Sequence, residues 1–341
     1  MPHRPRIKDV AERAGVAPST VSVVLNDVTS VRVTDATRER VQRAAAELGY
    51  VPNGLARGLR TRRSRTVAFI SDVIATTPYA GQLIQGAQDT AWKAGYLLML
   101  VNTGGDAELE QHAIRALRQQ QAGGVLYATM YHRLIELPAL LESVPVVLLD
   151  AAPASGQRPH VVPDEEAGAR TAVVELAEHG HRRIGFVLDV GDSPAARGRL
   201  RGYHAALEEY GVHPDPSWVV RGASDSDGGE AAASRLLDRA DRPTAIFAFN
   251  DQMAIGVYHA AAARGLRIPE DLSVVGFDDL YVLAREMRPG LTTVALPHYA
   301  MGELATQTLL GLVEHPLEPA PGGQLVPCPI VRRGSVGPLP R

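Results

Sequence analysis

"IKDVAERAGVAPSTVSVVLN", Ile7 to Asn26, is the stretch on which the reading of the chain turns. Apolar residues fall at Ile7, Val10, Ala11 and Ala14, the spacing of one buried helix face. Gly15 follows, where a sharp bend can take a positive φ without a Cβ penalty. A second stripe reads Val21, Val24 and Leu25. Ala11 is small where the second helix must cross closely, and Val21 can plug the angle between the two. Small residue, glycine and valine at these intervals form a helix-turn-helix signature, whose second helix enters the DNA major groove. A third helix is expected from about Thr34 to Leu48, with Thr34 as N-cap and Gly49 as stop. Val41, Ala45 and Leu48 would close the core.

Charge points the same way. Residues 1–65 hold thirteen Lys and Arg against six Asp and Glu, a surplus of seven positive charges. The whole chain holds 35 against 38, so the remainder carries ten net negative charges. A basic head on an acidic body is the footprint of a polyanion-binding module joined to a soluble domain.

At 341 residues and 45% apolar, the chain has room for two or three domains. One cysteine, Cys328, excludes an internal disulfide framework and fits a reducing cytoplasm. No signal peptide and no apolar run of the roughly 20 residues needed to span a membrane is expected. Beyond the head, apolar β-like runs alternate with helical segments: "TVAFIS", "YLLMLVN", "GGVLYAT" and "PVVLLD", then "RIGFVLD", "TAIFAFN" and "LSVVGFD". Near-continuous apolar strands between helices predict parallel sheets covered on both faces. Two such series, split near Asp164, predict an α/β body of two doubly wound lobes with a ligand cleft between them. No GxGxxG or GxxxxGK[ST] occurs, so no nucleotide cofactor is expected. No catalytic triad or paired catalytic carboxylates stand out, so enzymatic function is not expected either. His179 and His181 lack clustered partners and are read as a polar turn before a strand rather than a metal site.

The opening stretch, with "VTDATRERVQRAAAELGYVPNGLARGL" after it, resembles the DNA-binding head of the lactose-repressor (LacI/GalR) family of transcription regulators. The resemblance runs on through "GHRRIGFV", "AARGRLRGY", "PTAIFAFNDQMAIG", "GLRIPEDLSVVGFDD" and "LTTVALP". It implies a cytoplasmic homodimer that binds double-stranded operator DNA, probes no membrane, and answers to a small-molecule effector such as a sugar or polyol. The implied body is periplasmic-binding-protein-like, with strands near 293–297 and 323–328 crossing between lobes. The expected domains are a head at 1–50, a hinge or linker at 51–63 and a body at 64–341. Within the body the N-lobe is placed at about 64–163 and 295–323, and the C-lobe at about 164–294 and 324–341.

On the second helix, Thr20 and Ser22, with Asn26 after it, can donate to phosphates, contacts that position rather than specify. Pro18, Ser19 and Val23 are the base-edge candidates, and Ser19 reads equally as an N-cap. Pro18 offers only apolar contact, so direct readout looks thin. Thr34 joins the DNA-binding set. In "YVPNGLARGLRTRRSR", Pro52 breaks the third helix and Asn53 can cap a short new one. Gly54 and Gly58 each cost about 1 kcal/mol of helix propensity, so such a helix is not stable alone. The stretch resembles the family's hinge helix. Leu59 matches the leucine that wedges a minor-groove base step, and Ala56 the small residue at the dimer axis.

For the cleft, Arg197 and Arg199, Asn250 and Asp278 lie on or after strand carboxyl ends, where open α/β sheets bind ligands. By resemblance Arg199 or Arg197, Asn250 and Asp278 are effector-binding positions, and Tyr79 and Asp150 complete the candidate set. A guanidinium, an amide and a carboxylate together match paired hydroxyls. Ser224 stands where sugar-binding relatives often carry a tryptophan platform. Two rival readings remain: a transport-type sugar-binding protein, which the basic head argues against, and an α/β enzyme, which no catalytic constellation supports. A gel shift with promoter DNA separates both from a regulator.

Overall fold

Three helices build the N-terminal unit: α1 (Ile7–Ala14), α2 (Pro18–Leu25) and α3 (Asp35–Leu48). Gly15 and Gly49 both take left-handed backbone, at φ 65 and φ 62, and end α1 and α3 as C-caps. Val10, Val21 and Val41, one from each helix, are fully buried and form the centre of the small core with Ala11, Ala14, Val24, Ala44 and Ala45. Leu48 differs from expectation. It is 36% exposed, at the last residue of α3. Tyr50, beyond the Gly49 turn, packs on the cluster instead.

The computed structural model describes residues 5–25, 31–50, 64–73, 77, 80–319 and 321–339, and contacts divide the chain into two units, Met1–Arg65 and Thr66–Arg341. The linker 51–63, with Asn53, Ala56 and Leu59, lies outside the described residues, as do Asn26 and Tyr79.

The second unit holds two six-stranded sheets. The first contains β1 (Thr66–Ser71), β2 (Leu97–Asn102), β3 (Val125–Ile135), β4 (Val146–Pro153), β5 (His160–Pro163) and β11 (Gly323–Val326). Its order is β11-β5-β4-β3-β1-β2, parallel throughout. The second contains β6 (Ile184–Asp189), β7 (Val219–Gly222), β8 (Ala245–Ala248), β9 (Ser273–Asp278), β10 (Thr292–Ala295) and β12 (Ile330–Val331). Its order is β12-β10-β9-β8-β6-β7, and only β12 runs antiparallel to its neighbour.

Each sheet with its helices is one lobe, and the chain passes between them three times: after β5, after β10 and after β11. The last passage comes later than the 323/324 boundary read from the sequence. β11 pairs with β5 through Val326, so the chain leaves the first lobe only at residues 327–329. Likewise β10 keeps Ala295 in the second lobe. Backbone pairing sets these boundaries, and a strand's partner is invisible to an apolar pattern.

Two other expectations change. β2 reads as a buried strand, yet Leu97 is 59% and Leu100 45% exposed, because β2 is the sheet edge. His181 is not part of a polar turn. It is fully buried, with Nδ1 2.9 Å from Thr244 Oγ1 and Nε2 3.0 Å from Ser273 Oγ and 3.1 Å from the Gly337 carbonyl. It pegs the C-terminal segment to the second sheet, and burial lowers its pKa. Among the described residues no helix is long and apolar enough to cross a membrane.

Candidate functional site

In the head, α2 begins at Pro18, and the Ala17 carbonyl takes its first bonds, from Thr20 and Val21. Ala17 therefore holds the cap position, and Ser19 is the second helical residue, which removes the N-cap reading of Ser19. Pro18 and Ser19 are exposed, Thr20, Ser22 and Val23 half-buried. Thr34 does precede α3, but its hydroxyl lies 2.9 Å from Thr37 Oγ1 and caps no backbone N–H. An exposed Arg13–Glu47 ion pair of 2.7 Å links α1 to α3.

In the body, a cleft of about 780 Å³ is lined by both lobes, within the usual range for small-ligand sites. Asp150, Arg197, Arg199, Asn250 and Asp278 all line it. Asp150 comes from the middle of β4 in the first lobe, opposite the break in its pairing with β3, and the other four from the second.

Arg199 is the hub. It is 3% exposed. Its Nε donates to Glu165 Oε2 at 2.7 Å, Nη1 to the Phe249 carbonyl, and Nη2 lies 3.5 Å from Asp278 Oδ1. Its Cζ sits 3.7 Å from the Phe277 ring centre and 4.4 Å from that of Phe249. Arg197 is different: exposed at the rim and paired with Asp192 at 3.0 Å. The alternation along the helix Pro194–Glu209 puts one arginine in and one out.

Asp150 and Asp278 bring carboxylates to this hub. Burial raises the Asp150 pKa to about 8, with Glu165 adding to the rise and Arg199 opposing it. Burial likewise holds Asp278 well above the ordinary carboxylate range against the pull of Arg199. Asp150 (φ 53), Asp278 (φ 110) and Asp279 (φ 50) all adopt positive φ, strain that clusters at functional sites. Asn250 has a structural duty. Its Oδ1 caps the helix Asp251–Ala262 by accepting the Met253 N–H at 2.7 Å, and its Nδ2 donates to Ser224 Oγ at 2.8 Å. One amide N–H is left for a ligand.

Sequence reasoning missed Glu165, His132, Phe249 and the support given by Asp251. Asp251 accepts the Leu280 N–H and the Thr293 hydroxyl, both at 2.6 Å, and so fixes the turn that carries Asp278. A Cβ on Gly276 would lie 2.3 Å from that carboxylate, so only glycine fits there. "ND" at a strand end was a signal for Asp251; nothing local marks His132. Among the described residues no cluster of metal-ligating side chains occurs.

The model for bacterial regulatory proteins of the lacI family matches residues 6–53, and that for a periplasmic binding protein-like domain matches residues 173–336. The chain is 36% identical over 313 residues to the ribose operon repressor of Haemophilus influenzae, covering 92% of this chain and 93% of that one. Among solved structures it resembles the lac repressor dimer bound to operator and the anti-inducer ONPF, with TM-score 0.79 and 29% identity over 98% of this chain and 100% of the other. It also resembles the regulator CelR in complex with cellobiose, with TM-score 0.69 and 32% identity over 97% and 100%. Head and body alike place this chain in the lacI family of bacterial regulatory proteins, as a DNA-binding transcription regulator.

Proposed function

We propose that the protein is a cytoplasmic, homodimeric repressor whose operator binding responds to a sugar or related polyol held in the interlobe cleft. The carrying observation is the Arg199 hub: one buried guanidinium paired with Glu165 and Asp278 of the second lobe, in a cleft that Asp150 of the first lobe also lines. Sugar hydroxyls donate to such carboxylates and accept from guanidinium and amide N–H groups. A ligand bridging Asp150 and Asp278 favours one arrangement of the lobes, and so one state of the regulator. The cellobiose held by CelR and the operon of the ribose repressor support a sugar.

In this reading Asp150, Arg199, Asn250 and Asp278 bind the effector, Arg197 guards the rim, and Tyr79 belongs to the same set. Pro18, Ser19 and Val23 meet base edges. Thr20, Ser22, Asn26 and Thr34 hold phosphates. Asn53, Ala56 and Leu59 form the hinge that enters the minor groove. The apolar edge strand β2, with Tyr281 (67% exposed) and Val282 (64% exposed), supports a second copy of the chain as partner.

A gel shift with promoter DNA, titrated with D-ribose, D-glucose and cellobiose, tests the whole. One sugar is expected to change operator affinity. Asp278→Asn keeps shape and tolerance of positive φ while removing charge, and is expected to weaken that sugar at least about 10-fold. Unchanged sugar affinity in that variant removes Asp278 from the site.

A further inference from the structure

β3 and β4 pair in two blocks, Val125–Ala128 against Val146–Leu149 and Arg133–Ile135 against Ala151–Pro153. Between the blocks four residues of β3, Thr129–His132, face one residue of β4, Asp150. Such bulges re-aim side chains beside functional sites. This one is locked. The Thr129 hydroxyl donates to the Asp150 carbonyl at 2.7 Å, and Arg133 Nη2 donates to Asp72 Oδ2 at 2.8 Å. It leans over the cleft: Met130, Tyr131, His132 and Arg133 all line it, and Tyr131 is 52% exposed there.

Two buried side-chain nitrogens have no hydrogen-bond partner among the described residues, His132 Nδ1 and Arg133 Nε, and both belong to this segment. Buried polar atoms rarely go unpaired in native proteins, and at His132 the enclosed, unpaired Nδ1 decides which tautomer the ring adopts. His132 also lines a neighbouring cavity of about 600 Å³, so its ring stands where the two spaces meet. Burial pushes its pKa down to about 4, and His160, Arg199 and Arg197 add to the fall. The ring is thus neutral, with one donor and one acceptor nitrogen. A buried N–H without an acceptor is costlier than an unpaired lone pair, which favours the proton on Nε2.

We propose that the Thr129–His132 bulge is the specificity element of the cleft, and that His132 donates Nε2–H to one hydroxyl oxygen of the bound sugar. This rests on the cleft being the effector site. It adds a fixed N–H donor to a hub with few free ones. Arg199 is engaged by Glu165, the Phe249 carbonyl and Asp278, Asn250 keeps a single N–H, and the Asp150 carboxyl, its pKa raised to about 8, has one O–H to give. A further neutral donor selects for the position of an acceptor oxygen, which is how a site tells one sugar from its epimer or deoxy analogue.

The test uses the full-length protein and calorimetry with D-ribose, D-glucose, D-galactose, cellobiose and the single-deoxy analogues of the tightest of them. His132→Phe keeps a flat ring and removes its polar edge. It is expected to weaken the tightest sugar on the order of 10-fold. The analogue lacking the contacted hydroxyl should bind wild type and His132→Phe alike, while His132→Gln, which keeps a donor, recovers part of the loss. No loss, or one uniform loss across the whole deoxy series, overturns the assignment. Melting without sugar checks folding, and His132→Gln carries the same series if His132→Phe does not fold. Asp278→Asn separates the two readings. Sugar binding lost there but kept in His132→Phe sinks only the role of His132. Binding kept in both variants, or no binding of any of these sugars by wild type, sinks the cleft reading and His132 with it.

Discussion

Arg6 occupies the N-cap of α1, where a hydroxyl or carboxamide would normally accept a first-turn N–H. Arginine cannot accept, and its charge sits at the positive end of the helix dipole. The structure supplies a partial remedy: the Asp9 carboxylate accepts the Arg6 backbone N–H at 2.6 Å, one half of a capping box. Arg6→Thr adds the other half, so it is expected to stabilise the head by about 0.5–2 kcal/mol. Melting of residues 1–50, which carry their own core, reads this; an unchanged or lower midpoint means Asp9 already suffices.

Asp150 gives the second prediction at this scale. Its pKa of about 8 in the folded protein lies above its unfolded value. Between about pH 4 and 8 the folded state therefore holds a proton that the unfolded state lacks. Stability from this group rises as pH falls through that window and is lost as pH climbs past 8. One proton limits the slope to about 1.4 kcal/mol per pH unit. Asp150→Asn tolerates the left-handed backbone and removes the titration. It is expected to stabilise the body most at pH 8.5, clearly less at pH 5.5 and hardly at all below about pH 4, and to flatten the pH slope. Asp251, raised to about 7, titrates in the same direction and leaves a residual slope. Equal effects of Asp150→Asn at both pH values, measured by urea unfolding, mean that Asp150 is not the titrating group.

Between elements, glycine decides how closely helices meet. The helices Ala80–Lys93 and His298–Glu314 touch backbone to backbone. A Cβ on Gly302 would lie 2.1 Å from the Leu83 carbonyl oxygen, and one on Gly86 2.1 Å from that of Tyr299. No rotamer change relieves a clash with backbone. Gly302→Ala is expected to cost the first lobe about 1–3 kcal/mol, more than the roughly 1 kcal/mol of helix propensity it gains. Gly311→Ala in the same helix meets nothing within 4 Å and is expected to be neutral or stabilising, which makes it the internal control. A Gly302→Ala protein as stable as wild type in urea denies the close contact. The strand runs themselves were legible as apolar segments, and β1, β6 and β9 lie within the predicted runs. The short β5 and β7, and the extension of β3 past Thr129, carry no continuous apolar signal. They exist because a neighbouring strand offers hydrogen bonds.

At the scale of the molecule, the basic surplus of residues 1–65 and the acidic body divide the work. Operator affinity is expected to fall log-linearly with salt, by a slope of about 0.9 for each phosphate neutralised. A fragment from residue 66 onward should bind the sugar and not DNA. Retention of operator binding by that fragment would move the DNA site into the body. The proposed homodimer should dissociate on dilution, and a charge at Leu97 or Leu100 on the exposed edge strand should shift it to monomer in sedimentation.

The sequence by itself determined the helix-turn-helix, the α/β lobes and five polar residues of the cleft, Asp150, Arg197, Arg199, Asn250 and Asp278. Each of these rests on local pattern: 3.6-residue periodicity, a glycine at a left-handed turn, apolar runs ending in polar residues. Tertiary structure decided which polar residues act together. Arg197 and Arg199 look equivalent in "AARGRLRGY", and only packing between Phe249 and Phe277 makes Arg199 the buried hub and leaves Arg197 at the rim. Asn250 looks like a free ligand group until its helix claims it as a cap. His132 has no sequence signal, because a bulge of four residues against one is a property of two strands in register. Register, burial and partner choice belong to the whole chain once folded, since side chains far apart in sequence set them.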